Sequence, residues 1–476
     1  MTELRTTVNS FDLFDTLLAR KCVDSQGIFT IVERAFGASG FAAARRAAEF
    51  RLAEIRPAFD IHDIYGVLVD TGTVTRADAD RLLAAEIDAE FDNAVPVAEN
   101  LRRVREGDLV VSDMYLPPEV LRRLLQHVGL RSHVNLYVSN LGKHFGRIWP
   151  ELASRWIIAT HVGDNLHSDV ETPRRHGIPT IHYTGTQPSR AESMVAGNGF
   201  PALARIMRSL RLRNPHDTGS PAHELWRHGS QFNLPLLVFL AQMLRARRDA
   251  AGVKKILFSA RDCYLAAEIF STLFPGEPSE YIHVSREVLF SGGTAERDYL
   301  LQRGLRDSVV CDIAATGSSW HGFAHRHGIR VRLFTLIFID NWPLARVAPQ
   351  EVVASDKLDF SYALRSSALN PYSPAIEVLN PAPHGTALGV DPTGSFFSPR
   401  LARTSEFDPQ LVAVLVQCHN AAIAMLRKDR AELVAEMAAP PVATMASLVE
   451  AISSSPLLNS LGKQLQWPPS FGPMMN

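Results

Sequence analysis

The chain has 476 residues, too many for a single hydrophobic core, so two or three domains are expected. A formal net charge of -1, with 46% hydrophobic and 21% charged residues, is ordinary globular composition and supplies no global pull toward nucleic acid or an anionic membrane. Four cysteines, Cys22, Cys263, Cys311 and Cys418, lie far apart and form no metal-like pair, which points to a reducing, cytoplasmic setting. Residues 1–7 are polar and lack a signal-peptide core. The longest apolar run, 234–244, falls short of the roughly 20 residues a membrane span needs.

In chain order, residues 8–18 read as a short buried strand and a turn, with Asp12 where the backbone leaves the sheet. Residues 19–100 carry a helical pattern with no strand-like run. The sheet resumes at 108–113, a buried strand ending in the hydroxyl of Ser112. Pro117 and Pro118 then open a helix that runs to about His127. A strand at 135–139 leads into a polar loop with Lys143, and a strand at 157–164 ends in Asp164, with Asp169 in the loop beyond. Residues 177–183 read as a last strand. Alternating strand and helix predicts a parallel sheet covered on both faces. Residues 186–222, mixed in Pro, Ser, Gly and Arg, read as a connector. A second α/β rhythm occupies 223–395, with strands at 254–259, 281–285, 308–312 and 331–339 and a Pro- and Gly-rich loop at 370–394. Residues 407–457 read as helical and the last 15 as a tail.

Asp12, Ser112, Lys143, Asp164 and Asp169 form a coherent chemical set. A carboxylate that attacks phosphorus makes an acyl phosphate, but its charge repels the phosphate unless a divalent cation intervenes. Asp12 and Asp164 suit Mg²⁺, which favours a few carboxylates, waters and substrate phosphate. Ser112 can bond a phosphoryl oxygen, and Lys143 can offset the charge of nucleophile and phosphate together. A lone aspartate at a strand end is commonly a turn or helix cap; the ordered set is what favours chemistry here.

The pieces Phe11-Asp12-Leu13-Phe14-Asp15-Thr16-Leu17, Val110-Val111-Ser112, Lys143 after a strand, and Gly163-Asp164-Asn165-Leu166-His167-Ser168-Asp169 occur in one order, each after a predicted strand. Together they resemble the haloacid dehalogenase superfamily of hydrolases over residues 1–185. The resemblance implies a Rossmann-like core with an inserted helical cap at about 19–100. It also implies Asp12 as nucleophile, Mg²⁺ held by Asp12, the Phe14 carbonyl and Asp164, and Asp169 as an acid either in the metal site or just behind its ligands. Phosphatases of that family carry a second Asp two residues after the nucleophile. This chain has Phe14, which can neither give nor take a proton. Asp113 and His144 are candidate replacement acids.

In the second half, Ala260-Arg261-Asp262 and Val284-Ser285-Arg286 place charges at strand exits. Asp312-Ile313-Ala314-Ala315-Thr316-Gly317-Ser318 is a strand, a small-residue loop and a helix start, a form that aims backbone N–H groups at an anion. It resembles the phosphate-binding loop of phosphoribosyltransferases through Asp312, Thr316, Gly317 and Ser318, with Cys311 where a second acid is common. The whole chain also resembles large bacterial predicted hydrolases in which a dehalogenase-like domain is fused to a second α/β region. In those, surface-polysaccharide pathways are a frequent suggestion, and Cys263 stands where Gly is more usual. Glu377 and His384 are further candidates for a second site.

The expected protein is therefore α/β: a dehalogenase-like core over 1–185 with parallel sheet, helices on both faces and a helical cap, a connector at 186–222, a second Rossmann-like α/β domain over 223–395, and a helical C-terminal region and tail over 396–476. The expected activity is a Mg²⁺-dependent hydrolase or phosphotransferase acting on a phosphorylated small molecule, with phosphosugars or nucleotide-linked metabolites favoured. No nucleic-acid or membrane partner is expected. Two alternatives stand beside it: a phosphoribosyl- or glycosyl-type transfer in the second domain, and a binding or scaffold protein that lost turnover with the acid at Phe14.

Overall fold

A computed structural model describes residues 5–22, 26–56, 58–342, 345–393, 396–402, 408–436 and 441–464. The chain forms two compact units, Met1–Ser189 with Leu212–Pro215, and Arg190–Arg211 with His216–Asn476. Each is built on its own five-stranded sheet.

The first unit contains β1 (Thr6–Phe11), β2 (Leu18–Arg20), β3 (Ala94–Pro96), β4 (Leu109–Ser112), β5 (Asn135–Val138), β6 (Trp156–Gly163) and β7 (Thr180–His182). Five of these make a parallel sheet in the order β5-β4-β1-β6-β7. Burial on both faces explains the apolar character of β4. Val110 packs with Phe11, Leu13 and Leu121 on one side, while Leu109 and Val111 pack with Trp149 and Leu152 on the other. Chain order reverses between β1 and β6. At such a switch point the loops leaving two neighbouring strands part in opposite directions and open a crevice beyond their carboxyl ends.

Between β2 and β3 lie the helices Gly27–Phe36, Phe41–Ile55, Ile61–Asp70 and Arg76–Asn93. Residues 19–100 were expected to hold no strand, but β2 and β3 pair antiparallel, Leu18 opposite Pro96 and Arg20 opposite Ala94, as a stem for this helical excursion. At three residues each they are too short to show a period of two. Asp60 and Asp63 form a capping box on the third helix, and Thr75 caps the fourth. Within the excursion Arg45 pairs with Glu86 at 2.8 Å with both side chains fully buried, and Tyr65 donates to Glu86 at 2.9 Å.

The second unit contains β8 (Lys255–Ser259), β9 (Ser279–Ile282), β10 (Ser308–Ala315), β11 (Val331–Phe338) and β12 (Leu358–Arg365), parallel in the order β12-β11-β10-β8-β9. Its switch point lies between β8 and β10. An antiparallel hairpin, β13 (Ala387–Thr393) and β14 (Phe396–Leu401), follows. β12 was not foreseen, because only Leu358 and Leu364 of its residues are fully buried and its apolar signal is weak. β13 falls in the stretch expected to be loop, where Pro392 sits in a two-stranded ribbon that tolerates a missing donor. β14 falls in the region expected to be helical; the helices there begin at Pro409–Lys428.

The expected connector, 186–222, holds the boundaries between the two units. It carries the helices Arg190–Gly197 and Pro201–Leu212. Leu203, Ile206, Met207 and Leu210 form a buried stripe at helical spacing, which Arg205 and Arg208 between them obscure in the sequence. Among the described residues, Pro409–Lys428 is long and apolar enough to cross a membrane by length and composition. It buries Leu411, Leu415, Cys418, Ala422 and Leu426 along one stripe in the core of its unit, the pattern of an amphipathic core helix. The expected tail lies outside the described residues from 465 onward.

Candidate functional site

Asp12 follows the last residue of β1, and its N–H still donates to the Val162 carbonyl of β6 at 2.8 Å, so the carboxylate stands on sheet-anchored backbone. The chain then folds back tightly. Leu17 and Leu18 donate to the Leu13 carbonyl, Asp15 takes a left-handed backbone with φ of 56°, and the side chains of Leu13 and Leu17 are fully buried. Asp12 is therefore a rigid, 6% exposed carboxylate at the mouth of the sheet.

Lys143 reaches this point from the loop after β5. Its ammonium, 4% exposed, contacts Asp12 Oδ1 and lies 2.7 Å from Asp169 Oδ1. Asp113 builds the loop that presents it. Asp113 Oδ1 accepts from Ser139 Oγ at 2.8 Å and from the Lys143 N–H at 2.9 Å, while Oδ2 accepts from the His144 N–H at 2.7 Å. Both oxygens of the residue considered as a replacement acid are thus engaged in holding the loop. Ser112 ends β4 beside β1 and is 2% exposed. His144 stands next to the cluster, its Nδ1 3.4 Å from Ser168 Oγ.

Asp169 is held from three sides. The Asn165 N–H donates to its Oδ2 at 2.9 Å, and Lys143 and His161 Nε2 approach Oδ1, the latter at 3.1 Å. His161 Nδ1 lies 2.8 Å from Ser10 Oγ. This fits a neutral imidazole that donates from Nε2 and accepts the Ser10 hydroxyl proton at Nδ1. Burial holds the His161 pKa below the usual range, which favours the same state. Asp169 approaches β6 so closely that a Cβ on Gly163 would lie 2.3 Å from its Cγ; only glycine fits there. Ser10 and His161 were not singled out from the sequence, since a buried polar residue inside a strand carries no local signal.

Asp12, Asp164 and Asp169 each present an oxygen within 4.8 Å of the others. Burial, with the repulsion of Asp169 and Asp164, pushes the Asp12 carboxyl up against the opposing pull of Lys143. Burial and the nearby charges of Asp169 and Asp15 raise Asp164 to about 6. Asp169 goes the other way, held well below the carboxylate range because its charge is met by Lys143 and His161.

Phe14 lies where a phosphatase acid would be expected. The Arg20 guanidinium sits over its ring, 3.9 Å from the centroid, and is itself bound through two nitrogens to Glu90 at 2.7 and 2.8 Å. The position is filled by a ring with an ion-paired guanidinium over it.

In the second unit, one pocket gathers Arg261, Asp262, Asp312, Thr316 and Gly317 together with Glu377 and His384. Ser318 begins the helix Ser318–His327 and its N–H donates to Thr316 Oγ1 at 3.3 Å. The strand expected to end at Asp312 continues to Ala315, so Asp312 lies within β10 and the loop starts later. Arg261 bonds Glu377 at 2.8 Å, and the Tyr281 hydroxyl accepts the Arg261 N–H at 2.8 Å and lies 2.9 Å from His384 Nε2. Cys263 and Cys311 are buried thiols 4.0 Å apart.

No protein-family model matches this chain, and no curated protein sequence matches it.

Proposed function

We propose that the first unit is a phosphohydrolase or phosphotransferase of the haloacid dehalogenase type, acting through Asp12 on a phosphorylated small molecule, with the four helices between β2 and β3 as its cap. The observation that carries the reading is the Lys143 ammonium set between Asp12 and Asp169 at the switch point of a parallel sheet, with Asp164 closing the cluster. A nucleophilic carboxylate needs an oriented oxygen and a nearby cation that lowers the repulsion of an incoming phosphate, and this arrangement supplies both.

The donor set fits Mg²⁺. Three carboxylates of a buried cluster face one ammonium beside a neutral histidine, and burial with mutual repulsion pushes two of them, Asp12 and Asp164, toward the protonated form, a cost that a divalent cation on the same oxygens would relieve. Asp12, Asp164, Asp169 and the Phe14 carbonyl are the groups that would hold the ion. When bound, it would neutralise phosphate charge and help orient the phosphoryl group.

The chain's own residues then act as follows. An Asp12 oxygen forms a bond to phosphorus as the bond from phosphorus to the leaving oxygen breaks. Lys143 balances the charge on Asp12, and Ser112 bonds a phosphoryl oxygen. Water attacks phosphorus in the aspartyl phosphate, releasing phosphate and restoring the Asp12 carboxylate; in a phosphotransferase, an acceptor hydroxyl takes the place of water. With Phe14 in the acid position, no side chain two residues on protonates the leaving group. Leaving groups that depart as stable anions are therefore favoured, such as the phosphate of an anhydride in a nucleotide-linked metabolite, over the alkoxide of a simple alkyl ester. The four free cysteines are in keeping with a reducing, cytoplasmic setting.

Steady-state assays of the full chain with Mg²⁺ test this reading. Turnover of p-nitrophenyl phosphate is expected to exceed that of β-glycerophosphate, and Asp12→Asn or chelation is expected to remove it. Turnover that survives Asp12→Asn sinks the reading. Stabilisation by beryllofluoride and Mg²⁺ with no turnover of any activated phosphate favours the binding-protein alternative.

A further inference from the structure

The helix Ser318–His327 carries His321 and His325 one turn apart, a spacing that puts both side chains on one face. Its buried side is fixed. Trp320, Phe323 and Ala324 pack in one apolar cluster with Val352 and Leu358. That packing sets the helix against a second segment of chain, which runs from the short helix Pro349–Val353 through a turn into β12. The segment carries Glu351 on its helix and Ser355 and Asp356 in the turn. Two imidazoles from one element therefore meet acidic groups from another.

The two rings lie close, with centroids 4.3 Å apart and planes inclined at 41°. His325 Nε2 lies 3.1 Å from Ser355 Oγ and 3.8 Å from Asp356 Oδ1. Ser355 Oγ already accepts the N–H groups of Lys357 at 3.3 Å and Leu358 at 3.1 Å. Its own proton is left for His325 Nε2, which is then a bare ring nitrogen of a neutral imidazole. A bare nitrogen and a carboxylate oxygen thus face each other, both offering electron pairs and neither offering a proton. The other oxygen of Asp356 is met by Lys357 Nζ at 3.6 Å.

His321 completes the group. Burial and the neighbouring His325 hold its pKa below the usual range, against the opposing pull of Glu351 and Asp356, so its ring too is neutral near pH 7. As a plain ion pair the contact would stabilise little, since His325 is uncharged and the Asp356 side chain is 72% exposed. Two neutral imidazoles and a carboxylate are instead the donor set of a borderline divalent metal ion.

We propose that His321, His325 and Asp356 bind a divalent transition-metal ion, Zn²⁺ in class, with Glu351 adding negative charge nearby and water completing the coordination. The ion would clasp the helix Ser318–His327 to the turn ahead of β12. The mixed nitrogen and oxygen set separates this site from the all-oxygen cluster of the first unit, which suits Mg²⁺. The site does not depend on the reading of Asp12.

Isothermal titration of the untagged full chain with Zn²⁺, in excess Mg²⁺ to occupy all-oxygen sites, tests the proposal. One Zn²⁺ is expected to bind more tightly than about 100 µM. His321→Ala, His325→Ala and Asp356→Ala should each weaken that binding about 10-fold or more, while Asp12→Asn and Cys263→Ser leave it unchanged. Circular dichroism checks that each variant folds; alanine is the best helix former, so the two histidine substitutions do not weaken the helix itself. Co²⁺ in place of Zn²⁺ should give visible absorption that both histidine variants lose. The proposal is overturned if no Zn²⁺ binds in that range, or if any one of the three alanine variants binds it unchanged. Loss of the binding in Cys263→Ser, with the histidine variants unaffected, also overturns it, since the ion would then belong to the Asp262, Cys263 and Asp312 cluster.

Discussion

At the first switch point the polar groups satisfy one another. Ser10, His161, Asp169, Lys143 and Asp12 form one buried chain of contacts from the inside of β1 to the mouth of the sheet. At the second, Asp262 and Asp312 face each other with the charges of Arg261 and Arg286 acting on both, Arg261 is bonded to Glu377, and among the described residues Ser259 Oγ has no hydrogen-bond partner. The two sheets share an all-parallel design and a reversal of strand order, yet one links its polar groups into a continuous chain of contacts and the other leaves a buried hydroxyl without a partner among the described residues. The first arrangement suits bond-making, where the reacting oxygen must be oriented before substrate arrives. Substitutions that break a closed network and those that relieve an open one should accordingly have opposite signs.

The largest effect is expected at the closed site, where Asp12→Asn should lower kcat at least about 1,000-fold in a Mg²⁺-dependent phosphatase assay. Its Lys143 support is structural as well. Lys143→Met strands Asp12 and Asp169 in a buried site and should cost about 3 kcal/mol at pH 8, read by urea unfolding of the first unit.

A similar loss marks the helical excursion. Arg45→Met leaves Glu86, fully buried, without its cation, and the same unfolding transition should lose about 3–5 kcal/mol. If instead this variant is neutral, the buried pair is not what holds those helices.

At the open site the sign reverses. Burial, chiefly, raises Asp312 to about 6, above its usual value near 4. The fold therefore favours the protonated form. That advantage is complete below the unfolded pKa and is lost as pH rises through about 6. Asp312→Asn, never charged, should thus stabilise the ligand-free protein by on the order of 2 kcal/mol at pH 8, with the gain fading toward pH 4. Destabilisation at pH 8 would mean that Asp312 is already paired as the first cluster is.

The smallest effect is expected at Phe14. Replacing it by Asp places a carboxylate next to the Arg20 guanidinium, which holds it ionised and makes it a poor acid. Turnover of alkyl phosphates by Phe14→Asp should change by less than about 3-fold, against the 100-fold or more that a working general acid contributes. A gain of that larger size would show that Arg20 does not control the position.

Much of the first site was legible in the sequence because each participant sits at a strand end or in the loop just after it. Asp12, Asp164 and Lys143 are local punctuation marks on a strand–loop rhythm. What escaped notice was either non-local or masked. Ser10 and His161 meet across 151 positions of sequence. Asp113 was marked by its neighbour Ser112, but adjacency does not say which way a carboxylate points, and it points to the loop it holds. The helix Pro201–Leu212 was hidden by arginines between its apolar positions, β2 and β3 by their length, and β12 by its half-buried residues. Ser259 lay in a recognised strand, and nothing local tells that its hydroxyl has no hydrogen-bond partner among the described residues.

The central claim, that Asp12 forms a covalent phosphoryl intermediate, is tested most directly by trapping it. The full chain is mixed with Mg²⁺ and an activated phosphate ester, quenched in acid, reduced with borohydride and mapped by peptide mass spectrometry. The expected result is reduction of the side chain at position 12, absent without substrate. Catalytic turnover with Asp12 recovered unmodified, under conditions that trap a known aspartyl phosphate, would contradict the account.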